Sequence, residues 1–441
     1  MNVFFKQNIM KNKNLLKSWG ILLFIMLFFQ QSIMAAGYQV LLQGNRVTAM
    51  GNLGVGLRPD ASSMFFNPGA MPFMEGNQIM LGINLVNSNI AFWDSQTPSS
   101  TNTALTESPI GTPFHVYAVW GPKDSRWKFA LGAYTPFGST ITWGKEWQGR
   151  YLLDQIRLTA IYTQATASFK LTDKLSIGAG FVAMFGSVEL QRVLPVTSDL
   201  ESTLINLNGN SKTGFGYNVG LYWEISEKWQ LGASYRSKID AELEDGDVTF
   251  ENVPSSLAGL FQPNKFSASL PLPSQISLGI NFTPNDRLTV GVEANYIGWS
   301  AYESLDFNFA DQNIAIQNIK SPRNYHDTYV FHLGGEYRIK NFQLRAGTYY
   351  DLSPVDKGYM TPETPDTNRF ALSAGLGYSL GEKLQLDLSF LYNVGQKRTQ
   401  TVEEAQAAGT YPSATNSTYA VEPGTYKLKA YIPGLSITYK F

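Results

Sequence analysis

Three histidines, His115, His326 and His332, bound the acid–base chemistry open to this chain. His326 and His332 lie six positions apart, so on one strand they share a face, and the same alternation adds Glu336 and Arg338 to it. A histidine next to a carboxylate is the arrangement of a general base and the group that orients it. No serine nucleophile elbow and no metal-ligand spacing accompany this pair. With 0 Cys, thiolate nucleophiles, disulfides and thiolate metal sites are excluded. The expectation is that the chain is not an enzyme and has no catalytic residue, metal or cofactor. Glu293, Glu336, Arg338 and Arg345 are expected to satisfy one another on a polar inner face. The 34 Lys+Arg against 35 Asp+Glu leave no basic excess to displace counterions from phosphates, so nucleic acid is not expected as a partner.

Such residues need elements to hold them, and the composition narrows those elements. Charged residues are 16% of the 441, below the roughly 25% usual in soluble domains, and aromatics reach 13%. Near the start, Lys6, Lys11, Lys13 and Lys17 precede the apolar run 20–29, followed by polar Gln30, Gln31 and Ser32 and small Ala35 and Ala36. That is the form of a secretory signal peptide over 1–36, since the apolar run is about ten residues and a bilayer-spanning helix needs about 20. Cleavage after Ala35 or Ala36 fits equally.

Beyond it, large apolar residues alternate with polar or small ones in long segments, the period of a strand with two unlike faces. Leu288, Val290, Val292, Ala294 and Tyr296 share one face; Thr289, Gly291, Glu293 and Asn295 share the other. Strands are expected near 78–92, 112–120, 127–135, 155–170, 174–190, 212–225, 228–245, 274–283, 287–300, 326–339, 341–351, 369–380, 383–395 and 427–441, about fourteen in all, with tight and long connections in strict alternation. Short turns at one end and long loops at the other describe a bacterial outer-membrane barrel over 78–441. In hydrocarbon every backbone N–H and C=O must pair within the protein, so the sheet has to close. A soluble sandwich is the competing reading, but these strands exceed the usual five or six residues. The last strand carries Leu435, Ile437, Tyr439 and Phe441 on one face, a terminal pattern expected to be read by the barrel-assembly machinery.

Residues 37–77 break the alternation. Gly, Ala, Ser and Asn are frequent there, yet Met64, Phe65, Phe66, Met71, Phe73 and Met74 are unusual for a solvated tail, so the segment should pack inside the barrel as a hatch. Asn67–Pro68–Gly69 within it reads as a turn.

The segment Asp60 to Phe66 followed by Asn67–Pro68–Gly69 resembles the hatch of the FadL-type long-chain fatty-acid transporters, which include transporters of toluene-like aromatics. The likeness continues through 134–138 and 147–151, through Leu270–Ser274 with Gly298–Trp299–Ser300, and through 345–355 and 365–369. It departs at Gly69, where the family usually has Ala, and in the loops. The resemblance implies an all-β barrel of fourteen strands, an N-terminal hatch and passive uptake of hydrophobic molecules across the outer membrane, with surrounding lipid as the barrel's other partner. Long-chain fatty acids are the expected cargo; the alternatives are aromatic-hydrocarbon uptake, a structural or adhesive barrel, and a general porin. An apolar pocket would replace the hydration of a lipid tail, worth roughly 0.8 kcal/mol per CH2. Phe65, Phe66 and Met71 are candidates to line it. For a carboxylate head, Arg192 is similar to the family's pocket arginine, and Lys320 and Arg323 in a loop are further candidates.

Overall fold

A computed structural model of the chain describes residues 38–58, 60–94, 103–122, 125–196 and 202–441. The signal-peptide reading of 1–36 lies outside them. Among the described residues, one antiparallel sheet of 21 segments joins end to end into 14 wall strands. In chain order they are β1 (Gln78–Asn84, Asn87–Asp94), β2 (Thr103–Leu105, Phe114–Trp120), β3 (Trp127–Thr142), β4 (Gln155–Lys170), β5 (Leu175–Val193), β6 (Leu204–Asn210, Gly214–Glu224) and β7 (Trp229–Arg236, Ile239–Glu251). There follow β8 (Asn264–Leu272, Gln275–Asn285), β9 (Leu288–Ile297, resumed at Asn308–Phe309), β10 (Thr328–Ile339), β11 (Phe342–Asp351), β12 (Arg369–Leu380), β13 (Leu384–Gly395, Arg398–Gln400) and β14 (Gly424–Lys440). Pairing of Gln78 with Lys440 and of Asn84 with Gly434 closes the ring.

The two faces of the wall follow the alternation. Val292 is 50% exposed and Leu388 51%, as befits side chains that meet lipid, whereas Thr289 and Ser389 are buried inside. Several sequence expectations need correction: β2 begins at Thr103 rather than 112, β7 runs to Glu251 rather than 245, β8 starts at Asn264 rather than 274, and three others follow. β3 continues to Thr142 rather than stopping at 135: Pro136, lacking an N–H, is accommodated by a register shift between Tyr134 and Phe137, and its carbonyl accepts the N–H of Val40 at 2.8 Å. β6 starts at Leu204, not 212, because its loop-end half carries no lipid-facing apolar row. His326 is not on a strand with His332. It precedes β10, half exposed, 3.1 Å from Asp356, whereas His332 is buried in the wall.

Residues 38–77 contain a short helix α1 (Asn45–Ala49), a helical turn α2 (Ser63–Phe66) and a 3-10 helix (Pro68–Phe73). Nearly all of the segment is buried, and its partners are inward-facing groups from strands around the whole ring. Glu293 Oε2 on β9 accepts the N–H groups of Gly54 and Val55, both at 2.8 Å. The N–H of Gly51 reaches Ser373 Oγ on β12 at 2.8 Å. Gln164 Nε2 on β4 donates to the Met64 carbonyl at 2.9 Å, and Tyr117 on β2 to that of Gln43 at 2.9 Å. The backbone can come this close because the wall is bare where it docks: a Cβ on Gly334 would stand 2.0 Å from the Met50 carbonyl oxygen.

Candidate functional site

Asn67–Pro68–Gly69 is the joint between α2 and the 3-10 helix. Asn67 caps that helix by accepting from Gly69 N–H at 3.0 Å, while its amide donates to the carbonyls of Val55 (2.8 Å) and Leu221 on β6 (2.9 Å). Ser168 on β4 donates to Pro68 O at 2.6 Å, and Ser176 on β5 donates to Gly69 O. A Cβ at Gly69 would lie 2.7 Å from Gly220 O, so glycine here lets the turn press on the wall. The motif anchors the segment; it lines none of the cavities described below.

The lumen holds three principal spaces. Toward the long-loop end an apolar cavity of about 70 Å³ lies among Ile156 and Leu158 of β4, Val188 of β5, Leu243 of β7, Leu272 of β8 and Phe307. Tyr38 also lines it, its ring edge-on to Trp299 (5.2 Å) and to Tyr302 (5.7 Å), with its hydroxyl donating to Pro271 O. Next to it a second cavity of about 40 Å³ is lined by Arg192, Lys320, Arg323, Glu363, Leu190 and Phe307, among others. Toward the short-turn end a polar vestibule of about 560 Å³ is lined by Arg46, Asp60, Glu336, Arg345, Asp387 and other polar groups.

Arg192 therefore meets Lys320 and Arg323, which lie more than 120 positions later in the chain. Alternation along β5 puts Val188, Leu190 and Arg192 on the inward face, which carries the wall of one cavity into the other. Arg192 Nε and Arg323 Nη1 are buried and have no hydrogen-bond partner among the described residues. Glu363 stands 3.8 Å from Arg323. Burial opposes the charge on Arg323, but Tyr302 and Glu363 outweigh it and hold its pKa above the ordinary value. Lys320 is exposed at the rim. Two buried guanidiniums with unused donors beside an apolar wall can take an anionic head and an apolar tail.

The hatch candidates are placed elsewhere. Phe65 and Phe66 line a different cavity of about 20 Å³, room for a water, shared with Glu293, Asn295 and His332. Phe65 is held there by the Arg236 guanidinium, 3.9 Å above its ring, and by Tyr134. Met71 is fully buried in packing and lines none of these spaces. The expected inner-wall ion network forms in part. Glu336 pairs with Arg345 (2.8 Å) and Arg338 (2.9 Å), and Arg345 with Asp387 (2.6 Å), but Glu293 is engaged with the segment instead. Arg46 of α1 joins the network through Glu336 at 3.2 Å and Asp60 at 3.3 Å. His332 bonds Asn295 (2.9 Å) and the Gly51 carbonyl (2.8 Å), a holding rather than a catalytic arrangement. Tyr38, Phe307 and Arg46 were not singled out from sequence, and no local pattern marks them: each matters only through what the closed barrel brings beside it.

A family model described as "Outer membrane protein transport protein (OMPP1/FadL/TodX)" matches residues 26–441. An outer membrane protein of Neisseria meningitidis serogroup B is 27% identical over 94% of this chain and 96% of its own length. A long-chain fatty acid transport protein of Escherichia coli is 26% identical, over 60% of this chain and 67% of that one. Among solved structures, a Pseudomonas aeruginosa FadL homologue superposes with a TM-score of 0.77 at 22% identity, covering 92% of this chain and 100% of that one, a likeness of fold.

Proposed function

Because the chain belongs to this outer-membrane family, whose members are transport proteins for hydrophobic compounds rather than enzymes, we propose that its cargo is a long-chain fatty acid, taken up passively. The observation that carries the reading is the meeting of Arg192, Lys320 and Arg323 in one cavity that touches the apolar one. A carboxylate gains charge-assisted hydrogen bonds from the buried guanidiniums, about 1.5–3 kcal/mol. Each methylene moved from water to the apolar wall adds roughly 0.8 kcal/mol. Together they let the site extract a lipid from a polar surface without an energy source. The name of the Escherichia coli relative is in keeping with this cargo.

Residues 38–77 act in this reading as the plug. They withhold the lumen from free diffusion, which a general porin requires open, and Tyr38 gives the apolar cavity its floor. A purely adhesive barrel would have no use for paired buried arginines facing an apolar cavity. Aromatic-hydrocarbon uptake is less well supported, since it leaves those arginines idle.

The test is binding of palmitate and of toluene to purified wild type and Arg192→Ala in one detergent, at a pH where the acid is ionised. Palmitate affinity should fall roughly ten- to a hundredfold while toluene affinity barely changes. Palmitate binding that ignores the substitution removes Arg192 from the site.

A further inference from the structure

Phe307 belongs to the linings of both the apolar and the basic cavity, and among the described residues it is the only one common to the two. Neither space alone, about 70 Å³ and about 40 Å³, nor the two together reaches the roughly 150 Å³ that a small ring needs, so a cargo enters only where a side chain gives way. Yet their walls are continuous along β5, where Val188 faces the first space and Leu190 and Arg192 the second. Arg192 is four steps along the strand from Val188, roughly 13 Å at about 3.3 Å per residue, so the spaces are stacked along the strand rather than side by side.

What holds Phe307 distinguishes its backbone from its ring. The backbone is pinned to Ile319 by two hydrogen bonds, Phe307 N–H to Ile319 O at 2.9 Å and the reverse at 3.0 Å. The ring is buried, 6% exposed, within an apolar cluster in which its one aromatic neighbour among the described residues is Phe266, tilted at a centroid distance of 5.9 Å. A side-chain rotation breaks neither of these backbone hydrogen bonds, and it has to be accommodated by the apolar neighbours of the ring.

We propose that the Phe307 ring is a movable partition that sets cargo selectivity: rotated aside, it merges the basic and apolar cavities into one site long enough for an acid whose head lies at Arg192 and whose tail passes along Val188. This rests on the carboxylate-cargo reading above. With the ring in place, a neutral ligand that uses only the apolar side gains nothing from the arginines. A short acid held at Arg192 leaves the far cavity empty. Only a long acid is repaid for displacing the ring, which makes the partition a length filter.

The experiment measures affinities of octanoate, dodecanoate, palmitate and toluene for wild type, Phe307→Ala, Phe307→Leu and Phe307→Trp, each shown to be a heat-modifiable folded barrel. In wild type, affinity should rise from octanoate to palmitate, by up to about fourfold per methylene. Phe307→Ala should tighten palmitate by roughly three- to tenfold, because no ring has to leave its rotamer, with Phe307→Leu smaller in the same direction. Phe307→Trp should hold palmitate near the octanoate value while leaving octanoate, held at Arg192, within about twofold of wild type. If octanoate weakens as much as palmitate in Phe307→Trp, the effect is a disturbed loop and the partition is refuted. If the variants reproduce the wild-type series while Arg192→Ala still weakens palmitate, the partition alone falls. Absence of palmitate binding to wild type removes both the cargo reading and the partition. Should the alanine and tryptophan variants not assemble, Phe307→Leu, which keeps an apolar side chain in the gap, decides by its palmitate-to-octanoate ratio.

Discussion

The two halves of the lumen are built by the same strands and behave as different materials. On β4 the inward residues, taken from the long-loop end, are Ile156, Leu158, Ala160 and Tyr162, then Gln164, Thr166 and Ser168. Ile156, Leu158 and Ala160 line the cavity. Of the polar ones, Gln164 and Ser168 hold the segment by bonds of 2.9 and 2.6 Å to Met64 and Pro68 carbonyls. An apolar wall attracts without direction and leaves room, whereas a polar wall fixes one backbone in one place because each buried donor needs its acceptor. A single strand thus carries both a cavity wall and a mounting surface, divided along its length.

That division predicts separable failures. The largest concerns the mounted part itself. Deleting residues 38–77 should turn a barrel of near-zero conductance into an open pore in planar bilayers, and equal conductance before and after would mean that the segment obstructs nothing. Next is the ion network at the inner end. Glu336→Ala strips a buried partner from Arg46 and Arg345 and should destabilise the protein by about 3–5 kcal/mol in chemical unfolding. Palmitate affinity at the far end should meanwhile stay within about twofold, since independent distant sites contribute additively; a large affinity loss would show that the halves are coupled. The smallest effect is at the rim. Lys320 is exposed, so Lys320→Ala should change palmitate affinity by less than about fivefold, in line with 0–1 kcal/mol for a solvated charge pair. A loss as large as that for Arg192→Ala would place the head group at the mouth.

The division also explains what could be read from the residues in order. Where a strand has lipid on one side and water or protein on the other, the contrast repeats every second residue, so 341–351 and 369–380 were legible to within a residue. Past the membrane that contrast ends: Leu204, Ile205 and Leu207 of β6 are all buried, so the period weakens and the strand start was misplaced. The three basic candidates were each legible as cations, but their meeting depends on ring closure and on the fold of the 298–327 loop. Phe65, Phe66 and Met71 were read as lining because apolar residues in a lumen segment suggest a surface for cargo. Phe65 and Phe66 line the small cavity beside Glu293 rather than the apolar one, and Phe65 is held there by Arg236 and Tyr134 across the barrel, which no local spacing encodes.

The segment's docking also carries a consequence for the order of folding. Gly51 contacts Ser373, Asn45 contacts Ser389, and His332 holds the Gly51 carbonyl, so this early stretch of the chain finds partners some 280 to 344 positions later. Contacts of such separation form late, because a long loop must be closed before they reward the chain. Translated before any wall strand, residues 38–77 have to wait for β9 to β13 before they can settle. Until then their Phe and Met side chains are exposed, which makes this stretch the one most in need of escort on the way to the membrane.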